Sequence, residues 1–377
     1  EFGTTAYTDM AMYIGDEPAR YFTRGVFPVD RVDGKALREK YFVTSAPCYG
    51  CPIGCGRYIE INSGKYAPII GRGPEYETIA AFGSLCLCAN LEFIAKANDL
   101  CNRLGIDTIS CGSIIAFTIK CREKGLLKSD EFKQAVWGNE NYIIGLIQKI
   151  GKRQGIGSLL AEGVKKFAEN IGEKAEEIAL NVKGLEIPMH DPRAQYGMGL
   201  QYATATRGAV HIPFTGYVEM YGRGIEDLNI PSNGYDRFSS KGKAHLVKTL
   251  QDLQSVYDST ILCMFAYPPC VPSVRVEHVV KMISSATGLE LDISSLMTIG
   301  ERIWNLQKLF NLREGTCEDT LPNLFTKHPH REGPCKERSV PLEHMLEEYY
   351  MLRGWSKEGN PENSKLKELG LATNWEN

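Results

Sequence analysis

Three cysteines lie close together near residue 50, in the run Cys48-Tyr49-Gly50-Cys51-Pro52-Ile53-Gly54-Cys55. Glycine and proline separate them, which predicts a loop that folds back on itself. Only such a loop brings three thiolates to one metal centre. The Cys-x-x-Cys-x-x-x-Cys spacing is typical of loops that ligate cubane iron–sulfur clusters, which take one more cysteine from elsewhere. We therefore expect Cys48, Cys51 and Cys55 to be metal ligands.

Zinc is an alternative occupant of this loop. Structural zinc sites usually combine one Cys-x-x-Cys pair with a second pair of cysteines or histidines nearby. The chain has no second Cys-x-x-Cys pair, and no histidine lies between Cys55 and His190. Unliganded thiols in a turn are the remaining interpretation. The spacing favours an iron–sulfur cluster over both.

Composition limits the other functions that this chain can have. Its 377 residues are 43% hydrophobic and 24% charged, as in ordinary globular proteins, and the net charge of −3 favours neither nucleic acid nor an anionic membrane. Twelve cysteines, many in helix-like segments, indicate a reducing cytoplasm and metal ligation. We predict no membrane span, because no run of eighteen apolar residues occurs. The chain starts at Glu1 without a signal-peptide pattern, so we expect it to be truncated at its N-terminus.

Helical periodicity dominates the hydrophobic pattern. Helices are predicted at 8–14, 91–104, 113–124, 243–259 and 294–312, among others. Strands are predicted at 58–61 and 66–70, joined as a hairpin. The fold class is therefore mainly α, with two helical domains and a small β-hairpin. We place the domains at 1–212 and 213–377, and residues 213–240 are predicted to form a long surface loop.

Two hexads resemble each other weakly, Asn102–Asp107 and Asp258–Cys263, and each closes a predicted helix. Together with the cysteine loop, they resemble the aldehyde:ferredoxin oxidoreductase family of tungsten- and molybdenum-pterin enzymes. In that family two Asp-x-x-Gly-Leu-Asp/Cys motifs hold two pterins. The resemblance runs from about residue 3 to 371 and includes 73–78, 101–110 and 190–211. Asn102 stands where the first motif usually has Asp, and Ile261 stands where the second usually has Gly.

The resemblance implies cofactors and ligands. A [4Fe-4S] cluster would be held by Cys48, Cys51, Cys55 and Cys263, where Cys263 ends the second motif. A tungsten or molybdenum bis-pterin would be bound by Asn102, Ile106, Asp107, Asp258, Leu262 and Cys263. Only the two C-terminal helical domains of the family are represented, so an N-terminal β-rich pterin-binding domain is expected as a missing partner. The different residue at position 261 implies a local change of the backbone path.

The family also uses a glutamate as general base and a histidine as hydrogen-bond donor beside the metal. By motif position these roles fall on Glu77 and His211, and Tyr76 would line the same pocket. From the residues alone, Glu77 is better explained as an acid in the first turn of a helix, and the family resemblance reverses this preference. His211 is equally explained as a partly buried structural histidine. A buried Glu77 would have a raised proton affinity, which suits a base near neutral pH.

Three functions follow from these assignments. The first is oxidation of aldehydes to carboxylic acids, with electrons passed through the cluster to ferredoxin or another electron-transfer subunit. The second is a tungsten subunit of the benzoyl-CoA reductase type, which reduces an aromatic CoA thioester. The third is an iron–sulfur electron-transfer subunit without a pterin.

Overall fold

The computed structural model describes residues 1–213, 215–316 and 318–372. The chain forms two compact units. The first comprises Glu1–Ala194 and Pro322–Ser339, and the second comprises Gln195–Leu321 and Val340–Asn377. Each unit has its own helices and its own core.

The first unit combines short helices with one small sheet. Its elements up to Ala194 are α1 Thr8–Ile14, α2 Gly34–Tyr41, β1 Phe42–Ser45, β2 Arg57–Ile61, β3 Ile69–Arg72, α3 Tyr76–Phe82, α4 Leu91–Leu104, α5 Thr108–Glu123, α6 Glu140–Gly151, α7 Ile156–Leu160, α8 Gly163–Ile171, α9 Glu173–Glu176, β4 Asn181–Val182 and β5 Leu185–Glu186. The core of this unit is built on α5, which packs against α3, α6 and α8.

The predicted hairpin is present and carries a third strand. β2 and β3 pair antiparallel, as predicted, although β3 begins at Ile69 rather than at residue 66. Ile61 lies opposite Ile69, and β1 pairs antiparallel with β2 on its other edge. Sequence reasoning missed β1 because three of its four residues are exposed, so it has no alternating apolar pattern.

Helix ends in the first unit follow local sequence signals. Gly105 ends α4 in the left-handed conformation with φ +67°, as its position predicts. Helix α5 begins earlier than predicted, at Thr108, because the Asp107 side chain accepts a hydrogen bond from the backbone N–H of Ser110 and caps it. Nearly every residue from Cys111 to Cys121 is buried, so this helix has no polar face to reveal its true start.

The second unit is helical. Its elements are α10 Tyr196–Thr204, α11 Thr215–Glu219, α12 Lys243–Thr260, α13 Val276–Thr287, α14 Ile293–Arg313, α16 Leu342–Arg353 and α17 Asn363–Glu368, while α15 Asn323–Thr326 belongs to the first unit. Helix α12 is its centre and packs against α10, α14 and α16. The predicted helices 8–14, 91–104, 243–259 and 294–312 match the structure to within one residue at each end. The prediction of a mainly helical fold is confirmed.

Residues 213–240 differ from the predicted surface loop. They contain α11, and Val218, Ile225, Leu228 and Ile230 are buried in the hydrophobic core of the second unit with α12 and α13. The sequence did not reveal this burial, because glycine, proline and asparagine are frequent here and the buried residues have no regular spacing. Among the described residues, no single helix has the length and apolar character of a membrane span; α4 and α5, bent at 117°, meet that criterion only as a pair.

Candidate functional site

The cysteine loop is an excursion between β1 and β2. Its base is closed by a hydrogen bond from the Ala46 N–H to the Gly56 carbonyl of 2.8 Å. At its tip the N–H of Cys51 donates to the carbonyl of Cys48 at 3.0 Å. Gly50 and Gly54 have φ of +68° and +59°, a conformation that favours glycine and lets the chain reverse between the thiols. Cys48 is exposed, and Cys51 and Cys55 are half-buried.

A buried arginine holds the end of this loop. Arg57 is 2% exposed, and its guanidinium donates to the carbonyls of Cys55, Phe2 and Pro74, each at 2.8 Å. It also lies 3.2 Å from the Glu75 carboxylate. The backbone of the third cysteine is therefore anchored, although sequence analysis assigned no role to Arg57.

Cys263, the predicted fourth ligand, is exposed and follows the C-terminus of α12 in the second unit. The intervening Ile261 has φ +58°, the left-handed conformation that glycine adopts most easily. Its side chain is 92% exposed. The turn at this position is therefore left-handed, and isoleucine adopts it with strain. The expected difference from the backbone path of the family stays a prediction.

The predicted pterin-binding residues form two groups. In the first unit, Asn102 and Asp107 are exposed and Ile106 is half-buried, at the turn from α4 to α5. In the second unit, Asp258 is exposed at the end of α12, Leu262 is half-buried, and the Asp258 carboxylate accepts a 2.7 Å hydrogen bond from Gln254. Because the groups belong to different units, their approach to one cofactor stays a prediction.

A cavity of about 430 Å³ in the second unit includes Asp258 in its wall. Its lining mixes hydrogen-bonding groups with aromatic and aliphatic side chains: Ala205, Thr206, Arg207, Val210, Ile212, Pro213, Gln254, Ser255, Asp258, Trp304, Leu306, Gln307, Phe310 and Asn311. Trp304 is 5% exposed, and its indole N–H has no hydrogen-bond partner among the described residues. A buried donor without a partner is costly, so this wall suits a ligand with acceptor atoms.

Glu77, at the start of α3, lies in a cluster of acidic and aromatic side chains within the first unit. Its Oε2 accepts a 2.8 Å hydrogen bond from the backbone N–H of Met189. Its Oε1 lies 3.2 Å from His190 Nε2. On the other side of the ring, His190 Nδ1 lies 2.5 Å from Oδ2 of Asp16, which is fully buried and also accepts a 2.9 Å hydrogen bond from Tyr7.

Two pKa values in this cluster are shifted strongly. Burial alone would lower the pKa of His190, but the charges and hydrogen bonds of Asp16 and then Glu77 raise it to about 10. Burial, and then the negative charge of Asp16, raises the pKa of the neighbouring Glu17 to about 8. At neutral pH the histidine is therefore cationic and Glu17 is protonated.

The other two candidate catalytic residues have different surroundings. Tyr76 is 4% exposed, and its hydroxyl donates a 2.7 Å hydrogen bond to the Met189 carbonyl. His211 belongs to the second unit, where it is half-buried in the segment after α10. The carbonyl of the preceding Val210 accepts a 2.7 Å hydrogen bond from Gln201, which fixes the backbone next to the histidine.

Most remaining cysteines belong to the cores. Those at 86, 88, 101, 111 and 121 are buried, and burial raises the pKa of Cys86 well above its usual value and that of Cys88 to about 12. Cys86 and Cys88 therefore stay protonated, and all five pack as small apolar side chains. Cys317 lies outside the described residues.

Sequence analysis missed Asp16 and His190. The segment His190–Arg193 belongs to the family resemblance, but the resemblance predicts no role for the imidazole. A histidine in a short polar turn, directly after the apolar stretch that ends at Met189, is the one local signal.

A mainly helical fold that carries a loop with three closely spaced cysteines and a cluster of glutamate, histidine and tyrosine is typical of metal-dependent oxidoreductases. The chain belongs to the aldehyde ferredoxin oxidoreductase family: residues 1–371 match the sequence model of the family's domains 2 and 3. The family resemblance seen in the sequence is thus confirmed.

The chain is 37% identical over 381 residues to the tungsten-containing aldehyde ferredoxin oxidoreductase of Pyrococcus furiosus, covering 99% of this chain and 60% of the relative. The enzyme of the same name from Thermococcus kodakarensis is also 37% identical, with the same coverage. The WOR-like subunit of an aliphatic sulfonate oxidoreductase from Pyrococcus furiosus is 26% identical over 342 residues, which cover 86% of this chain and 50% of that protein. The chain spans about 60% of the length of the first two relatives.

The active site complex BamBC of benzoyl coenzyme A reductase, solved with 1,5-dienoyl-CoA, has a similar fold. Its TM-score is 0.78 at 22% identity, and the likeness covers 98% of this chain and 59% of that chain. At this identity the similarity concerns the fold alone.

Proposed function

We propose that this chain forms the two C-terminal domains of a tungsten or molybdenum bis-pterin enzyme that oxidises aldehydes to carboxylic acids. Electrons would leave through a [4Fe-4S] cluster to ferredoxin or another electron-transfer subunit. The observation that carries the proposal is the family match over residues 1–371, which includes the cysteine loop and both hexads. The relatives that cover 99% of the chain are named as tungsten-containing aldehyde ferredoxin oxidoreductases.

The cysteine loop fits an iron–sulfur cluster better than it fits a structural core. Cys48 is exposed and Cys51 half-buried, whereas the cysteines of α4 and α5 are buried. Two left-handed glycines and the anchored carbonyl of Cys55 give the loop a defined course. We propose Cys48, Cys51 and Cys55 as three cluster ligands and Cys263 as the fourth.

The pterin proposal is supported by the cavity beside Asp258. Amide, hydroxyl and guanidinium groups line it, and these can pair with the nitrogen and oxygen atoms of a pterin edge. The buried indole N–H of Trp304 is a further donor. Asp258, Leu262 and Cys263 would serve one pterin, and Asn102, Ile106 and Asp107 the other. The family's N-terminal domain is proposed as the partner that completes this site.

The bound metal–pterin group would supply two-electron oxidation, and the cluster would pass the electrons on singly. Overall, an aldehyde and water yield a carboxylic acid, two protons and two electrons. Glu77 is proposed as the base that accepts a proton as oxygen adds to the carbonyl carbon. Met189 holds one of its oxygens. His211 is proposed to donate a hydrogen bond to the developing charge, with Tyr76 lining the same pocket.

The test is the metal content and activity of the anaerobically purified enzyme that contains this chain. We expect tungsten or molybdenum, about four irons per chain, and aldehyde-dependent reduction of ferredoxin or a viologen. Iron without tungsten or molybdenum would instead support an electron-transfer subunit. Full metal content with dienoyl-CoA turnover but no aldehyde oxidation would support a benzoyl-CoA reductase-type subunit.

A further inference from the structure

We infer that His190, held by Asp16, is a positioning residue that orients Glu77 and keeps its carboxylate ionised. The inference rests on the proposed function, in which Glu77 is the base. It concerns residues far apart in sequence: Asp16 follows α1, Glu77 opens α3, and His190 lies after β5. All of them belong to the first unit.

The geometry is a line of carboxylate, imidazole and carboxylate. Oδ2 of Asp16 lies 2.5 Å from Nδ1 of His190, and Nε2 of the same ring lies 3.2 Å from Oε1 of Glu77. The backbone carbonyl of Asp16 also accepts a 2.6 Å hydrogen bond from the N–H of Asp191. Asp16 therefore fixes both the ring of His190 and the backbone beside it.

Aromatic contacts limit the movement of the ring. The His190 ring centroid lies 5.1 Å from that of Tyr76 and 5.6 Å from that of Tyr7. Tyr7 donates its hydroxyl to Asp16, and Tyr76 donates to the carbonyl of Met189. The two tyrosine rings lie 5.1 Å from each other and therefore pack on one side of the imidazole. With both of its nitrogens also paired, the ring is held as a positioning group must be to place another side chain within about half an ångström.

The charges around His190 determine its protonation state. Within the first unit, the ionisable side chains around His190 are Asp16, Glu77, Glu17, Tyr7 and Tyr76. Two of them are carboxylates in direct contact with the ring nitrogens, and so the imidazole carries a proton on each nitrogen at neutral pH. This agrees with the raised pKa of His190 of about 10.

Glu77 needs such a neighbour if it is to act as a base. Its side chain is only 16% exposed, and burial favours the protonated form of a carboxyl group, which cannot accept a proton. A positive charge 3.2 Å away favours the ionised form. With Met189 on one oxygen and His190 on the other, both orientation and charge of Glu77 are set before substrate arrives.

A purely structural ion pair would behave differently from a positioning residue. If His190 only stabilised the fold, its loss would slow the enzyme by the same factor whether or not Glu77 were present. If it acts through Glu77, its loss has no further effect once Glu77 is Gln. The two cases therefore differ in a double-mutant cycle.

The experiment uses the holoenzyme that contains this chain, with His190→Gln, Asp16→Asn, Glu77→Gln and the double variant Glu77→Gln/His190→Gln. The exposed His344→Gln is the matched control. The first readout is independent of turnover: the infrared carboxylate band of Glu77, identified as the band that Glu77→Gln removes, is followed against pH. In His190→Gln we expect Glu77 to protonate at a pH higher by about one unit or more.

The second readout is steady-state kinetics. We expect His190→Gln to lower kcat by roughly 10- to 100-fold, with KM within twofold, and to have no effect in the Glu77→Gln background. Asp16→Asn, which keeps the shape, should shift the Glu77 band in the same direction and serves if His190→Gln does not fold. An unshifted Glu77 band in both variants overturns the inference, even if aldehyde oxidation itself were absent. Additive kinetic losses in the double variant overturn it as well.

Discussion

The hydroxyl of Tyr76 donates a 2.7 Å hydrogen bond to the carbonyl of Met189, and the N–H of that same residue binds Oε2 of Glu77 at 2.8 Å. The adjacent residues Tyr76 and Glu77 of α3 thus bind the carbonyl and the N–H of Met189. The single phenolic proton of Tyr76 is engaged in this contact. Tyr76 and Glu77 are therefore expected to respond very differently to substitution.

Glu77→Gln keeps the shape of the side chain but removes the base. We expect kcat for aldehyde oxidation to fall by roughly 10²- to 10⁴-fold, with metal content unchanged. Tyr76→Phe removes one buried hydrogen bond, so it should cost about 1 kcal/mol of stability and less than tenfold in kcat. Steady-state kinetics and thermal unfolding of both variants check this. A Glu77→Gln enzyme that loads metal normally and keeps full activity would remove Glu77 from the mechanism.

Cys51→Ser tests the cysteine loop. Replacing a thiolate ligand by a hydroxyl should abolish the cluster, and with it the low-temperature paramagnetic signal of the reduced protein. Cys121→Ala, in the buried part of α5, is the control and should keep the signal. Iron and sulfide analysis of anaerobic preparations measures the outcome. Stoichiometric zinc without sulfide would show that the loop holds zinc instead.

Asp107 has an observed role and a proposed one, and two substitutions separate them. As the N-cap of α5 it can be replaced by Asn without loss, whereas Asp107→Ala should cost about 1 kcal/mol. If the carboxylate also binds a pterin, Asp107→Asn should lower pterin content while the melting temperature stays unchanged. Asn90→Ala, which removes the cap of α4, is the matched control for a cap without a pterin role. Full pterin content in Asp107→Asn would limit Asp107 to capping.

How far the sequence predicts this protein depends on how local each feature is. Helices such as α4 and α12 were placed well because apolar spacing and a C-terminal left-handed residue are read within one segment. β1 was missed because strand pairing, not its own pattern, makes it a strand. The start of α5 is predicted too late for a related reason, since the helix is buried on all sides from Cys111 to Ile119 and this removes periodicity.

In the candidate site, too, contacts between distant parts of the chain could not be predicted from the sequence. Glu77 could be found by family resemblance, but its contact with His190 joins distant parts of the chain, and the His190–Asp16 pair is separated by 174 positions. The pairing depends on tertiary packing, which one sequence does not display. At Ile261 the residue type misleads. A β-branched side chain disfavours a left-handed turn, yet the backbone adopts one where α12 ends.

Ile261→Gly should therefore stabilise the protein. The left-handed conformation costs a β-branched residue about 1–2 kcal/mol, and glycine recovers it at an entropic cost of roughly 0.5–1 kcal/mol. Because the isoleucine side chain is 92% exposed, little packing is lost. We expect a net gain of up to about 1 kcal/mol in the free energy of unfolding. Ile70→Gly, exposed in β3, should destabilise instead, and equal losses in both variants would contradict the strain at Ile261.

Glu17 gives the first unit a pH dependence that can be worked out. Its pKa is raised from 4.5 to about 8, first by burial and then by the charge of Asp16, while Ser84 and His190 offset part of the shift. The folded chain therefore holds a proton that the unfolded chain releases. This contribution to stability is fully present below pH 4.5 and is lost as the pH rises to about 8.

Glu17→Gln replaces the protonated carboxyl by a neutral group of the same size that cannot ionise. At pH 5 the variant and the parent should unfold at similar denaturant concentrations. Above pH 8 the parent has lost up to roughly 5 kcal/mol that the variant retains, so the variant should be the more stable of the two. The pKa of His190 is about 10, so its cation, which lowers the pKa of Glu17, is largely kept in both proteins at pH 8. Parallel stability profiles from pH 5 to 9 would mean that Glu17 ionises normally in the folded chain.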